Sequence, residues 1–73
     1  MSRELSELSA FVKARRKEAS LTQADLADMA GVGLRFIRDI EQGKASLRLD
    51  KVNTVLALFG GKMVPMRVGS IDA

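Results

Sequence analysis

Four side chains that can recognise nucleic acid lie close together near the middle of the chain: Leu34, Arg35, Arg38 and Asp39. An arginine guanidinium is a planar fork of donors that matches the two acceptors of guanine in the major groove, or two phosphate oxygens. Leu34 could contact a thymine methyl group. Asp39 could accept from a cytosine amino group, although pairing with Arg35 one helical turn away is an ample alternative role. These residues can read base edges if one element presents them together.

Two amphipathic helices separated by a Gly-Val-Gly corner are predicted around these residues. Thr22 and Asp25 form a capping box that starts a helix over about residues 23–30. Gly31 suits the left-handed conformation in which a chain leaves a helix. The apolar stripe of this first helix consists of Leu26, Ala27, Met29 and Ala30.

The second helix of the pair is expected to bury Ile37 and Ile40 and to end at Gly43, which leaves the four recognition candidates outward. Ala27 is small where two steeply crossing helices would come nearest. This pattern is typical of a helix-turn-helix whose second helix enters a groove of DNA. The alternative is an ordinary helical hairpin with capping glycines and solvated arginines.

The pattern resembles the Xre, or phage Cro/repressor-like, helix-turn-helix family. The matching positions are Gln23, Ala27, Gly31, Val32, Ile37, Ile40, Glu41 and Gly43. Residues 35–60 are similar to a narrower branch, the HipB-type antitoxins, and the resemblance covers nearly the whole chain apart from its two ends. It implies an all-α, four-helix, lambda-repressor-like domain.

The resemblance gives Gln23 a phosphate contact, at a helix start where free N–H groups already favour an anion. Thr22 and Gly33, at the starts of the two helices, are further phosphate candidates. The resemblance also implies an ion pair with a structural role between Arg16 and Glu41. Arg16 lies near the end of a helix that precedes the pair, and Glu41 lies near the end of the second helix of the pair, the recognition helix.

Three more phosphate candidates follow in the sequence. Phe36 departs from the wider family, which usually has a small hydroxyl residue there that bonds a phosphate; its ring could pack against sugar or a thymine methyl, or against the first helix. Lys44 and Arg48 flank the loop after the recognition helix and could clamp phosphates, or could be solvated charges.

Two further helices complete the predicted domain, residues 1–61. The first runs from about Arg3 to Glu18. The fourth begins near Asp50 as N-cap, stops at Gly60 and Gly61, and buries Val52, Val55, Leu56 and Phe59. Leu47 and Leu49 are expected to seal the loop before it.

The tail, residues 62–73, alternates Val64, Met66 and Val68 on one side of a predicted strand. A single strand is not stable alone, and Pro65 restricts it to an edge or a ladder with one missing bond. Pairing with the same segment of a second copy would give a homodimer, as the resemblance to HipB-type proteins also implies. The alternative is a frayed chain end.

Composition limits the class of protein. Seventy-three residues make one small domain, and 47% hydrophobic content argues against disorder. The net charge of +3 is compatible with a polyanionic partner. Without cysteine or histidine, disulfides, thiolate metal sites and the usual catalytic bases are excluded, so we expect no enzyme, no metal and no cofactor. No leader-like or membrane-spanning apolar run occurs, so we expect a cytoplasmic protein, nucleoid-associated when bound to its operator.

The sequence therefore predicts a repressor that binds double-stranded DNA at a palindromic operator as a homodimer. Resemblance to HipB-type proteins implies an antitoxin that represses its own operon and binds a HipA-like serine/threonine kinase toxin. A stand-alone Xre regulator is the alternative within this class, and a protein-interaction adaptor without DNA binding is the alternative outside it.

Overall fold

Four α-helices and no strand make up the part of the chain that the structure describes. The computed structural model covers residues 3–44 and 46–64, with side chains from Glu7 onward. The helices are α1 (Arg3–Glu18), α2 (Gln23–Ala30), α3 (Leu34–Glu41) and α4 (Leu49–Ala57). The predicted all-α, four-helix domain is confirmed.

The predicted C-terminal strand lies mostly beyond these residues. Met66 and Val68 are outside the described range, while Val64 lies in the non-helical segment after α4, with 60% of its surface exposed. Met63 N–H in that segment donates to Asn53 Oδ1 of α4 at 2.7 Å, which ties the segment back to the helix. The strand stays a prediction, as does the division of the chain into a domain of residues 1–61 and a tail of residues 62–73.

The start and end of α2 follow the predicted local signals. Thr22 Oγ1 accepts from Asp25 N–H at 3.0 Å, and Asp25 Oδ2 accepts from Thr22 N–H at 2.9 Å. The backbone hydrogen bond from Thr22 and its side-chain interaction hold the pKa of Asp25 below its usual value. Gly31 adopts φ 70° and ψ 32°, the left-handed conformation that turns the chain into α3.

The core joins all four helices around aliphatic side chains. α3 packs against both α1 and α2, and α2 also contacts α4. Ala27 is buried in α2, as expected for a small residue at a close helix crossing. The fully buried larger side chains are Val12, Leu26, Ile37, Ile40 and Val55.

Two expected core positions of the sequence analysis are wrong. Met29 is 59% exposed, because the buried side of α2 is defined by Leu26, Ala27 and Ala30, and Met29 lies about 100° around the helix from Ala30. Leu49 is also exposed, so that Leu47 alone of the two loop leucines packs against the core.

The start of α4 also differs from the prediction. Its N-cap is Arg48, which makes no side-chain capping bond, and Asp50 lies in the first turn. The Asp50 carboxylate is occupied by the Arg48 guanidinium, with Arg48 Nη2 to Asp50 Oδ2 at 2.7 Å. This hydrogen bond lowers the pKa of Asp50.

None of the helices described is both long and apolar enough to cross a bilayer.

Candidate nucleic-acid interface

The outward face of α3 carries two arginines whose side chains have no partner among the described residues. Ile37 and Ile40 are completely buried on one side of this helix, and Arg35 and Arg38 are exposed on the other. Neither guanidinium makes a hydrogen bond or ion pair with any other described residue. Both guanidinium forks therefore remain available to an external ligand.

Leu34 and Asp39 are less available than the arginines. Leu34 is half-buried and packs against the core, so only part of its side chain faces outward. Asp39 is half-buried, and its Oδ2 lies 3.5 Å from Lys44 Nζ. The carboxylate is thus paired with Lys44 after the helix. Pairing with Arg35, the alternative role predicted from the sequence, is not observed.

A buried ion pair joins α3 to α1. Arg16 Nε lies 2.6 Å from Glu41 Oε2 and Arg16 Nη2 lies 3.0 Å from Glu41 Oε1, with side-chain exposures of 12% and 2%. Arg16 Nη1 also donates to the carbonyl of Leu21 at 2.9 Å, and the Ser9 hydroxyl donates to the carbonyl of Glu41. This two-point geometry fixes the end of α3 against α1.

Gln23 completes this network from the first residue of α2. Its Nε2 donates to Glu41 Oε1 at 3.1 Å. Burial alone would raise the pKa of Glu41, but the hydrogen bonds from Arg16 and Gln23 outweigh it and hold that pKa below its usual value. One carboxylate therefore ties together α1, α2 and α3. Sequence reasoning missed the Gln23 contact, because no local spacing relates two residues on different helices.

The bond to Glu41 does not exhaust the Gln23 amide. An amide NH₂ group has two hydrogens, and one suffices for Glu41. The second hydrogen can still donate to a phosphate at the start of α2, where Thr22 is exposed. The hydroxyl oxygen of Thr22 itself already accepts from Asp25.

Gly33 lies at the start of α3 with no internal reason to be glycine. Its φ is −72°, which any residue can adopt, and a Cβ placed there would meet nothing within 4 Å. The exposed backbone at Gly33 is open to a close external surface.

Two cations in the loop after α3 are engaged by acidic side chains. Exposed Lys44 pairs with the half-buried Asp39, and Arg48 pairs with Asp50 at exposed positions. Such pairs contribute under about 1 kcal/mol and can open for a phosphate. Lys44 and Arg48 stay candidate phosphate contacts, but each must first break its ion pair with a carboxylate.

Phe36 contacts α4. The ring is half-buried and packs against the core, and Lys51 Nζ of α4 lies 6.0 Å from the ring centroid. Lys51 did not stand out in the sequence as a site residue, since its contact depends on how α3 and α4 meet.

Within residues 3–44 and 46–64, no group of three or more carboxylates is arranged to hold a metal ion.

Comparison with known proteins identifies the family. A family model described as Helix-turn-helix matches residues 12–64. A curated relative, the "Uncharacterized HTH-type transcriptional regulator y4mF" of Sinorhizobium fredii (strain NBRC 101917 / NGR234), is 47% identical over 55 residues, which cover 75% of this chain and 72% of the relative. The match spans the two helices, the corner and the network around Glu41, and the chain therefore belongs to the Xre-like helix-turn-helix family.

Proposed function

We propose that this protein is a DNA-binding transcriptional regulator that acts as a sequence-specific repressor. The observation that carries the proposal is the pair Arg35 and Arg38, exposed and with no side-chain partner among the described residues, on a helix whose other side buries Ile37 and Ile40 completely. The relative's printed name, an HTH-type transcriptional regulator, supports the same class of function. Binding as a homodimer would place one α3 in each half-site of a palindromic operator, about one helical turn apart.

Within this proposal, α3 enters the major groove and its outward side chains meet base edges. Arg35 and Arg38 would donate in pairs to guanine acceptors. The exposed part of Leu34 would contact a thymine methyl, and Asp39 would hold Lys44 or accept from a cytosine amino group.

Residues next to α3, at the starts of α2 and α3 and in the loop after α3, would supply contacts to the DNA backbone. The free hydrogen of the Gln23 amide, the hydroxyl hydrogen of Thr22, the backbone at Gly33, and the cations Lys44 and Arg48 would bind phosphates. These contacts carry no base information, but they set the register of α3 in the groove.

The narrower proposal is an antitoxin. Its support is the similarity of residues 35–60 to HipB-type proteins, for which autoregulation of the operon and binding of a HipA-like serine/threonine kinase toxin would follow. A stand-alone Xre regulator is the alternative. Co-purification of the protein with the product of an adjacent HipA-like reading frame would support the antitoxin, while absence of such a frame from the operon would contradict it.

The experiment that tests the repressor proposal is selection of genomic DNA fragments by the purified full chain. We expect enrichment of a fragment with two-fold symmetric half-sites upstream of a gene, bound with an affinity that falls steeply as salt is added. An adaptor that binds only protein would enrich no fragment, and that result would contradict the proposal.

A further inference from the structure

A cation at the border of α3 lies over an aromatic ring and forms no ion pair with a described carboxylate. Lys51 is the third residue of α4, is exposed, and places its Nζ 6.0 Å from the centroid of the Phe36 ring. A lysine ammonium at this distance is attracted by the negative face of the ring.

The neighbouring cations do not share this freedom. Lys44 is paired with Asp39 and Arg48 with Asp50. Among the described carboxylates, none forms an ion pair with Lys51. A phosphate would therefore meet Lys51 without first displacing an acidic side chain.

The position of Phe36 sets where this ammonium is held. Phe36 follows the exposed Arg35 directly and is itself half-buried against the core, so its ring lies between the outward face of α3 and the interior. The ring has no hydrogen-bond donor and cannot bond a phosphate itself. It can limit the conformations of the flexible lysine stem that reaches it from α4.

We propose that Lys51 is a DNA-phosphate contact, positioned by the Phe36 ring at the edge of the α3 face. The inference rests on the proposed DNA binding and adds a residue of α4 to the interface. Lys51 would neutralise one backbone phosphate without reading a base, and Phe36 would act as its positioning residue.

The test measures affinity against salt concentration for the operator and for a random duplex. Neutralising one phosphate contributes about 0.9 to the slope of log affinity against log salt. We expect Lys51→Gln to make the slope shallower by about 0.9 and to weaken both duplexes by a similar factor. The control is Lys62→Gln, an exposed lysine beyond the opposite end of α4, which should leave the slope unchanged.

A second variant tests the role of the ring. Phe36→Leu keeps an apolar side chain against the core and removes the aromatic face. In this background we expect Lys51→Gln to change the slope by clearly less than about 0.9, because the ammonium is no longer held in place. A thermal unfolding curve of Phe36→Leu checks that the variant folds.

The outcomes separate the two proposals. If the wild-type chain binds DNA with a steep salt slope and Lys51→Gln leaves that slope unchanged, Lys51 is not a phosphate contact and the repressor proposal survives. If the wild-type chain shows no salt-dependent binding to any duplex, both proposals are overturned. An undiminished slope change in the Phe36→Leu background would contradict the positioning role of the ring.

Discussion

In the proposed function, Gln23 combines a structural contact and a phosphate contact in a single side chain. One amide hydrogen goes to Glu41, and the proposal gives the other to a phosphate at the start of α2, where backbone N–H groups favour an anion. The phosphate contact can be predicted from the sequence, because Gln23 lies at the start of a predicted helix. The contact with Glu41 depends on the meeting of two helix ends and is visible only in the folded chain.

At this scale we predict the effects of Gln23→Ala on binding and on stability. Affinity should fall by a similar factor for operator and random DNA, because a phosphate contact carries no base information. The free energy of unfolding should fall by about 1.5 to 3 kcal/mol, as for loss of a hydrogen bond to a charged group. Fluorescence titrations and urea unfolding measure the two effects. A loss confined to the operator would contradict a phosphate role.

The residues of the recognition face were found from their types and spacing, whereas their internal partners were not. Arg35 and Arg38 fall opposite Ile37 and Ile40 by helical periodicity, so their exposure was predictable. Asp39 pairs with Lys44 from a loop, and Phe36 contacts Lys51 from another helix. Helical periodicity within α3 does not predict which residues of a loop or of another helix lie next to it.

At the scale of elements, α1, α2 and α3 meet at the Glu41 carboxylate. Its folded pKa is held below the usual value of 4.5, so its contribution to stability is present above that pH and is lost as the pH falls through the folded pKa. The interaction therefore stabilises the helix arrangement at neutral pH and weakens in acid.

We predict that Glu41→Gln lowers stability at pH 7 by about 3 kcal/mol, because the largely buried Arg16 guanidinium loses its counter-charge. The loss of stability between pH 7 and pH 3 should be smaller in this variant than in the wild type, since the group that titrates is gone. Denaturant unfolding at both pH values measures the difference. Glu18→Gln is the control, because its exposed pair with Arg15 contributes little. An identical acid sensitivity in wild type and Glu41→Gln would contradict the assignment.

The bounds of α1 and α2 were predictable, because their signals are local, whereas α4 ends at Ala57 and not at the predicted stop of Gly60 and Gly61. The capping box at Thr22 and the left-handed Gly31 each involve neighbouring residues, and α1 and α2 begin and end where expected. The predicted N-cap of α4, Asp50, was wrong. Its carboxylate binds the Arg48 guanidinium and does not cap the helix backbone. Competition between a side-chain partner and a cap depends on conformation, which periodicity does not encode.

At the scale of the whole molecule, a domain of this size gains from a second copy. The proposed dimer contact is the tail, whose alternating Val64, Met66 and Val68 suggested a strand. Within the described range the segment after α4 is anchored by the Met63 to Asn53 hydrogen bond, so truncation beyond Val64 keeps this anchor.

We predict that deletion of residues 65–73 lowers the sedimenting mass from dimer to monomer at micromolar concentration, with little change in helix content. Operator affinity should fall and become strongly dependent on protein concentration, because dimerisation is then coupled to binding. Analytical ultracentrifugation and circular dichroism are the measurements. A truncated chain that sediments like the full chain would remove the tail from the dimer contact.

Arg35→Ala tests whether the outward face of α3 reads bases, as we propose. We expect a loss of about 1 to 3 kcal/mol at the selected operator, roughly 5- to 150-fold in affinity, with relaxed preference at one base pair. The loss on a random duplex should be clearly smaller, and Lys62→Ala should change neither. Equal losses on operator and random DNA for Arg35→Ala would contradict base reading by α3.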